Sequence, residues 1–152
     1  AYTSIRTDKT GLSIWEFYEQ IEAGDVDGFM QKMKGIISGI PYDTLTEKDL
    51  ALREQNYQTA VYLVFALMNQ FVHTEVHCAT GRADCIVEFQ DKVYIFEFKL
   101  ISNETAENAV KQIKEKNYAD KYSGSGKKII AIGSSFDGEK RTIKDWLIDC
   151  SN

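Results

Sequence analysis

Asp84, Glu97 and Lys99 stand at the ends of two short apolar runs in the stretch GRADCIVEFQDKVYIFEFK, residues 81–99. Two such runs divided by Gln90 and Asp91 predict a β-hairpin. With an even-numbered loop centred on those two residues, paired residue numbers sum to 181, which sets Asp84 directly across from Glu97. Directly opposed residues of an antiparallel pair share a face, with Cβ atoms about 4.5–5.5 Å apart. Lys99 lies two residues beyond Glu97 and shares that face. Two carboxylates at this separation repel and require a counter-charge. A divalent metal ion, with the lysine beside it, supplies one.

The inference rests on register. A three-residue loop centred on Asp91 would make pairs sum to 182 and turn Glu97 to the other face. The first register sets Cys85 opposite Phe96, Ile86 opposite Ile95 and Val87 opposite Tyr94, apolar against apolar. The second run is apolar on both faces, as expected of a central strand covered by helices. Glu and Lys are rarely buried there without partners. A plain salt bridge of Glu97 with Lys99 or Lys92 is the simpler account of an E-x-K strand. The aspartate in register and the apolar surroundings favour the site instead.

The elements that must carry these residues follow from periodicity. Residues 11–24 and 25–38 read as two amphipathic helices, and the segment from Gly39 to Tyr42, with the sole proline, as a break. Thr46 and Asp49 form an acidic capping box before a long helix reaching about Phe71. Its stripe is Leu50, Tyr57, Val61, Val64, Phe65, Met68 and Phe71, and Glu54 falls on it. Glu54 is read either as an acid paired with Arg53, Lys48 or the helix dipole, or as a third carboxylate directed at the metal. A strand over 73–80 precedes the hairpin strands 83–89 and 92–100. A helix capped near Ser102 or Asn103 runs to about Tyr118, with Gln112 at the edge of its apolar stripe. A buried strand over 128–136, an Asp137-Gly138 turn and a last strand over 142–150 complete the chain. His73 and His77 lie four apart on a strand, about 13 Å, too far for chelation. Gly133-Ser134-Ser135 is not a nucleophile elbow, and no P-loop is present.

At 152 residues, the chain has the length and ordinary composition of one soluble domain. No apolar run is long enough to span a bilayer, and no membrane partner is expected. Ala1 stands where an initiator methionine would, so a fragment of something larger is expected. Cys78, Cys85 and Cys150 lack metal-ligand spacing and read as reduced core residues of a cytoplasmic protein. The net charge of −5 is unevenly divided: residues 111–144 sum to +5 and residues 1–110 to −8. Such a basic segment is either a lysine-rich solvated face or a surface for phosphates.

The ordered set Gly81-Arg82-x-Asp84, Glu97-Phe98-Lys99 and QIKEKNYADKY, Gln112 to Tyr122, resembles the PD-(D/E)XK, or restriction endonuclease-like, nuclease superfamily. More closely, it is similar to the nuclease-like domain found C-terminal to AAA-ATPase-like domains in bacterial proteins. The resemblance covers roughly residues 47–148. The proline before the first aspartate is absent, with Ala83 in its place. The resemblance implies an α/β fold: a three-layer αβββαβ core with a mixed central sheet over 46–152. Residues 1–45 would add a helical pair, packed on that core or linking it to an upstream domain. It implies Mg²⁺- or Mn²⁺-dependent hydrolysis of nucleic acid, with DNA ranked ahead of RNA though the sequence does not choose between them, and an upstream AAA-ATPase-like partner domain. Asp84 and Glu97 would hold the metal with the Phe98 carbonyl, joined by Glu54 if it faces the sheet, and Lys99 would serve the attacking water. Gln112 and Tyr118 fall where related nucleases place supporting polar residues. Arg82 would contact a phosphate or a structural partner. The alternative is a catalytically silent module of the same fold that binds nucleic acid or protein.

Overall fold

The computed structural model of the chain describes residues 6–7, 12–39, 50–71, 75–78, 85–99, 104–116, 121–122, 124–137 and 142–151, with side chains of the long third helix described over 59–69. A two-residue pair, β1 (Arg6–Thr7) and β2 (Leu12–Ser13), precedes the first helix and carried no sequence signal. In α1 (Ile14–Ala23), Ile14, Phe17 and Ile21 are buried, three and four residues apart on one face. The helix stops at Gly24, whose φ of 87° lies in the left-handed region that glycine enters without penalty. Asp25 then caps α2 (Val26–Ser38), its side chain accepting from the Gly28 N–H at 2.9 Å. In α3 (Leu50–Phe71), Val61, Val64, Phe65 and Met68 turn inward, while Tyr62 and Leu63 are exposed. The expected capping box at Thr46–Asp49 and the Glu54 side chain lie outside the described residues.

Five strands form one mixed sheet in chain order: β3 (Glu75–Cys78), β4 (Cys85–Glu88), β5 (Lys92–Lys99), β6 (Lys128–Asp137) and β7 (Thr142–Ser151). Every neighbouring pair is antiparallel except β5 with β6. Parallel strands require a crossover, which α4 (Ala106–Glu115) supplies. Its cap is Thr105, accepting from the Asn108 N–H at 3.0 Å, rather than Ser102 or Asn103. Thr105 opens the run whose apolar face, Ala106, Ala109, Val110 and Ile113, is the one buried.

Alternation along the strands divides the core in two. Val87, Tyr94, Phe96, Phe98, Ile130 and Ile132 share the larger apolar cluster with α1, α2 and α3. Phe96 lies at its centre, with ring centroids 5.3 Å from Phe29 of α2 and 5.0 Å from Phe65 of α3. Residues of opposite parity, Ile86, Val93, Ile95 and Ala131, form a second cluster with Ile113 of α4 and Tyr122. Glu97 and Lys99 belong to this second face by parity.

The cysteines differ from expectation. Cys85 is buried but disulfide-bonded, and Cys150 is an exposed free thiol on β7. The β3–β4 register sets the Cys78 backbone directly opposite that of Cys85. Spacing along the chain did not reveal that pairing of strands. Cysteine usage therefore gives no support to a reducing compartment.

Candidate active site

The β4–β5 ladder has the register expected from the apolar pattern: Cys85 pairs with Phe96, Ile86 with Ile95, Val87 with Tyr94 and Glu88 with Val93. Glu97 lies one step past the Cys85–Phe96 pair. Asp84 itself lies outside the described residues, as do Arg82 and Tyr118. The described part of the predicted site is Glu97, Phe98, Lys99 and Gln112.

Glu97 is 4% exposed, the one carboxylate among the buried polar residues described. Its neighbour on β6 is Gly133, and that glycine explains how a helix comes so close. A Cβ at Gly133 would stand 2.6 Å from the Ala106 carbonyl oxygen and 2.7 Å from both Ala109 Cβ and the Val110 nitrogen. Only a residue without a side chain lets α4 settle this near the sheet beside Glu97. From that seat α4 and its C-cap deliver two polar groups to the strand. Lys99 Nζ donates to Gln112 Oε1. Lys116 Nζ donates to Glu97 Oε1 at 2.8 Å, an ion pair whose carboxylate side is almost entirely out of solvent.

These contacts replace the simpler account of the E-x-K strand. The described ion pair of Glu97 reaches across to α4 and is not made with Lys99 or Lys92. Lys92 instead donates to the Glu22 carbonyl oxygen. Phe98 turns its ring into the larger cluster, 6.2 Å from Phe65 and 6.0 Å from Phe96. It can therefore offer the site only its backbone carbonyl.

The same face continues across the sheet. Lys99 neighbours Ser135 on β6, and Ser135 neighbours Asp145 on β7. The buried Ser135 hydroxyl donates to Asp145 Oδ1 at 2.7 Å. Just beyond, the ladder shifts register between Ser135 and Phe136, which bends the strand where the site ends. His77 is exposed on β3, and His73 lies outside the described residues.

Sequence reasoning missed Lys116, Ser135 and Asp145. Lys116 stands inside the QIKEKNYADKY segment, four residues after Gln112, and helical spacing alone would have set the two on one side of the helix. Ser135 and Asp145 gave no signal, because their adjacency depends on which strands pair.

The donor chemistry suits a hard divalent cation at Glu97. A buried carboxylate oxygen already has a cation standing against it in the Lys116 ammonium, and a backbone carbonyl is on the next residue. Among the described residues no cluster of three His, Cys, Asp or Glu side chains forms a complete metal site.

A model of the PD-(D/E)XK nuclease superfamily matches residues 52–146. The chain is also similar to the protein called "Uncharacterized protein in vnfD 5'region" of Azotobacter chroococcum mcd 1, at 31% identity over 134 residues. That alignment takes in 88% of this chain and 26% of the relative, so the chain spans about a quarter of the relative's length. No solved structure matches it.

Proposed function

Because the chain belongs to the PD-(D/E)XK nuclease superfamily, we propose that it is a metal-dependent nuclease domain that hydrolyses phosphodiester bonds of nucleic acid, DNA in the first instance. The observation that carries this reading is the end of β5. There a buried carboxylate, Glu97, is followed two residues later by Lys99, which Gln112 holds on the same face.

The residues that would hold Mg²⁺ or Mn²⁺ are Asp84, Glu97 and the Phe98 carbonyl, with Glu54 joining them if its carboxylate faces the sheet. When bound, such an ion supplies Lewis-acid polarisation of the phosphoryl oxygen and makes water a competent nucleophile at neutral pH. The chain's own residues do the remainder. Glu97 anchors charge where water is excluded. Lys99, tethered by Gln112, orients the attacking water and offsets negative charge as the phosphorus becomes five-coordinate. Gln112 is a positioning residue in this scheme, since it acts through the lysine. Arg82 and Tyr118 are assigned to phosphate contact and support from the motif. The series α3-β3-β4-β5-α4-β6 is read as the three-layer αβββαβ core of the superfamily, with α1 and α2 added in front. An AAA-ATPase-like domain in the same parent protein is also proposed, and ATP hydrolysis by that parent tests it.

The decisive experiment pairs two variants. Wild-type protein with Mg²⁺ or Mn²⁺ is expected to cleave DNA. Lys99→Ala should lose cleavage by about a thousandfold or more while Mn²⁺ binding by calorimetry stays near wild type, since a lysine is not a ligand. Asp84→Ala should lose both. Cleavage by Lys99→Ala at the wild-type rate would refute the mechanism. Metal binding without cleavage of any DNA or RNA would favour a silent binding module.

A further inference from the structure

We propose that Lys116 is a resident counter-ion of Glu97 that must withdraw before a divalent cation can bind, so that metal entry and release of this lysine are one event. The inference rests on the metal-dependent reading above. Burying a carboxylate without a cation is costly, and Glu97 is almost wholly buried. The Lys116 ammonium fills that role, 2.8 Å from Oε1 of the carboxylate that a metal ion would need. An ammonium and a divalent ion cannot share the same carboxylate oxygen without strong repulsion.

Lys116 is also built to leave. It is the C-cap of α4, with its backbone N–H bonded to the Gln112 carbonyl at 3.0 Å, so its main chain stays fixed. The side chain is a four-carbon stem with 24% of its surface exposed, and it reaches back from the helix end to the strand. Withdrawal of such a stem by rotamer changes would leave the α4 backbone in place. The helix C-terminus, with its partial negative charge, favours the released cation in the same neighbourhood. Lys116 thus differs from Lys99, which is tied to a neutral amide and need not move.

The test is Mn²⁺ titration by calorimetry, with thermal melting, of wild type, Lys116→Met and Lys116→Arg, with Asp84→Ala as the site control. Lys116→Met removes the competitor and is expected to bind Mn²⁺ roughly tenfold more tightly. It should melt below wild type without Mn²⁺ and recover with saturating Mn²⁺, because Glu97 regains a cation. Lys116→Arg keeps the charge and the fold but grips a carboxylate with a planar fork, and is expected to bind Mn²⁺ several-fold more weakly. Affinities unchanged in both variants, or a melting loss in Lys116→Met that Mn²⁺ does not repair, would make Lys116 a structural strut and overturn the proposal. Absence of Mn²⁺ binding in all variants would overturn it together with the metal reading. Tighter binding in Lys116→Met without cleavage by any form would uphold it and remove the nuclease reading.

Discussion

Two lysines serve two acceptors at the end of β5, and the difference in partners separates their roles. Lys99 meets the neutral Gln112, whereas Lys116 meets the charged Glu97. Both bonds have an ammonium donor, but only Lys116 also balances the charge of a buried carboxylate, whereas the Gln112 amide positions Lys99 without neutralising it. On the other face of the same strand, Tyr94 is fully buried and its hydroxyl has no hydrogen-bond partner among the described residues. Burial, together with the negative charge of Asp91 and the Cys150 thiolate, pushes its pKa from 10 up to about 12. Between those values the folded chain keeps a proton that the unfolded chain releases. The stability this supplies is therefore complete below about pH 10 and is lost as pH rises towards 12, by roughly 3 kcal/mol in all. Tyr94→Phe should change stability little at neutral pH and should flatten this alkaline loss. Urea melts at a series of pH values between about 9 and 12 check it.

At the scale of elements, the site depends on how closely α4 approaches the sheet. Gly133 and Gly35 allow a controlled comparison. At Gly133 a methyl group would collide with the α4 backbone at under 3 Å, so α4 or β6 must shift. Gly133→Ala should cost about 1–3 kcal/mol in urea denaturation, as overpacked cores do, and should loosen both Lys99–Gln112 and Lys116–Glu97. At Gly35, in the exposed middle of α2, a Cβ meets nothing within 4 Å. Gly35→Ala should raise stability by about 0.5–1 kcal/mol through helix propensity and leave cleavage unchanged. The same substitution thus reads packing in one place and backbone entropy in the other. Equal effects at the two positions would show that α4 tolerates a wider seat than the geometry allows.

At the scale of the molecule, the N-terminal helices are part of the main core. Phe29 of α2 packs against both Phe65 of α3 and Phe96 of β5. Trp146 on β7 donates its indole N–H to Asp27 at 2.8 Å. A fragment of residues 46–152 would expose Phe65 and Phe96, each loss comparable to a buried Phe→Ala change of about 3–5 kcal/mol. Such a fragment is expected not to fold alone, seen as loss of near-ultraviolet circular dichroism and gain of dye binding, whereas the full 152 residues give a cooperative melt. The charge balance also changes meaning in three dimensions. Three lysines of the basic segment are engaged internally: Lys114 with Asp149, Lys116 with Glu97 and Lys127 with Glu88. The net +5 of residues 111–144 therefore overstates the positive surface left for phosphates. No described helix is long and apolar enough to cross a membrane.

Local pattern alone was sufficient for the β4–β5 register, the order of the elements from α1 onward and the buried faces of α3 and α4, but not for α1, where Ile14 is buried and Trp15 is exposed. Apolar spacing of two or three to four residues reports which side of an element leaves water, and Val87, Phe96, Phe65 and Ile113 all follow it. It also brought Glu97, Lys99 and Gln112 to one side of the sheet, because parity along β5 and the stripe of α4 are both local. The partner of Glu97 was decided elsewhere. Pairing Lys116 with it depends on how near α4 lies, which depends on Gly133 thirty-six residues beyond Glu97. The neighbours Ser135 and Asp145, the bonded state of Cys85 and the exposure of Cys150 likewise depend on which strands lie side by side. Strand adjacency and helix seating are settled by the summed packing of residues far apart in the chain, so no local period carries them.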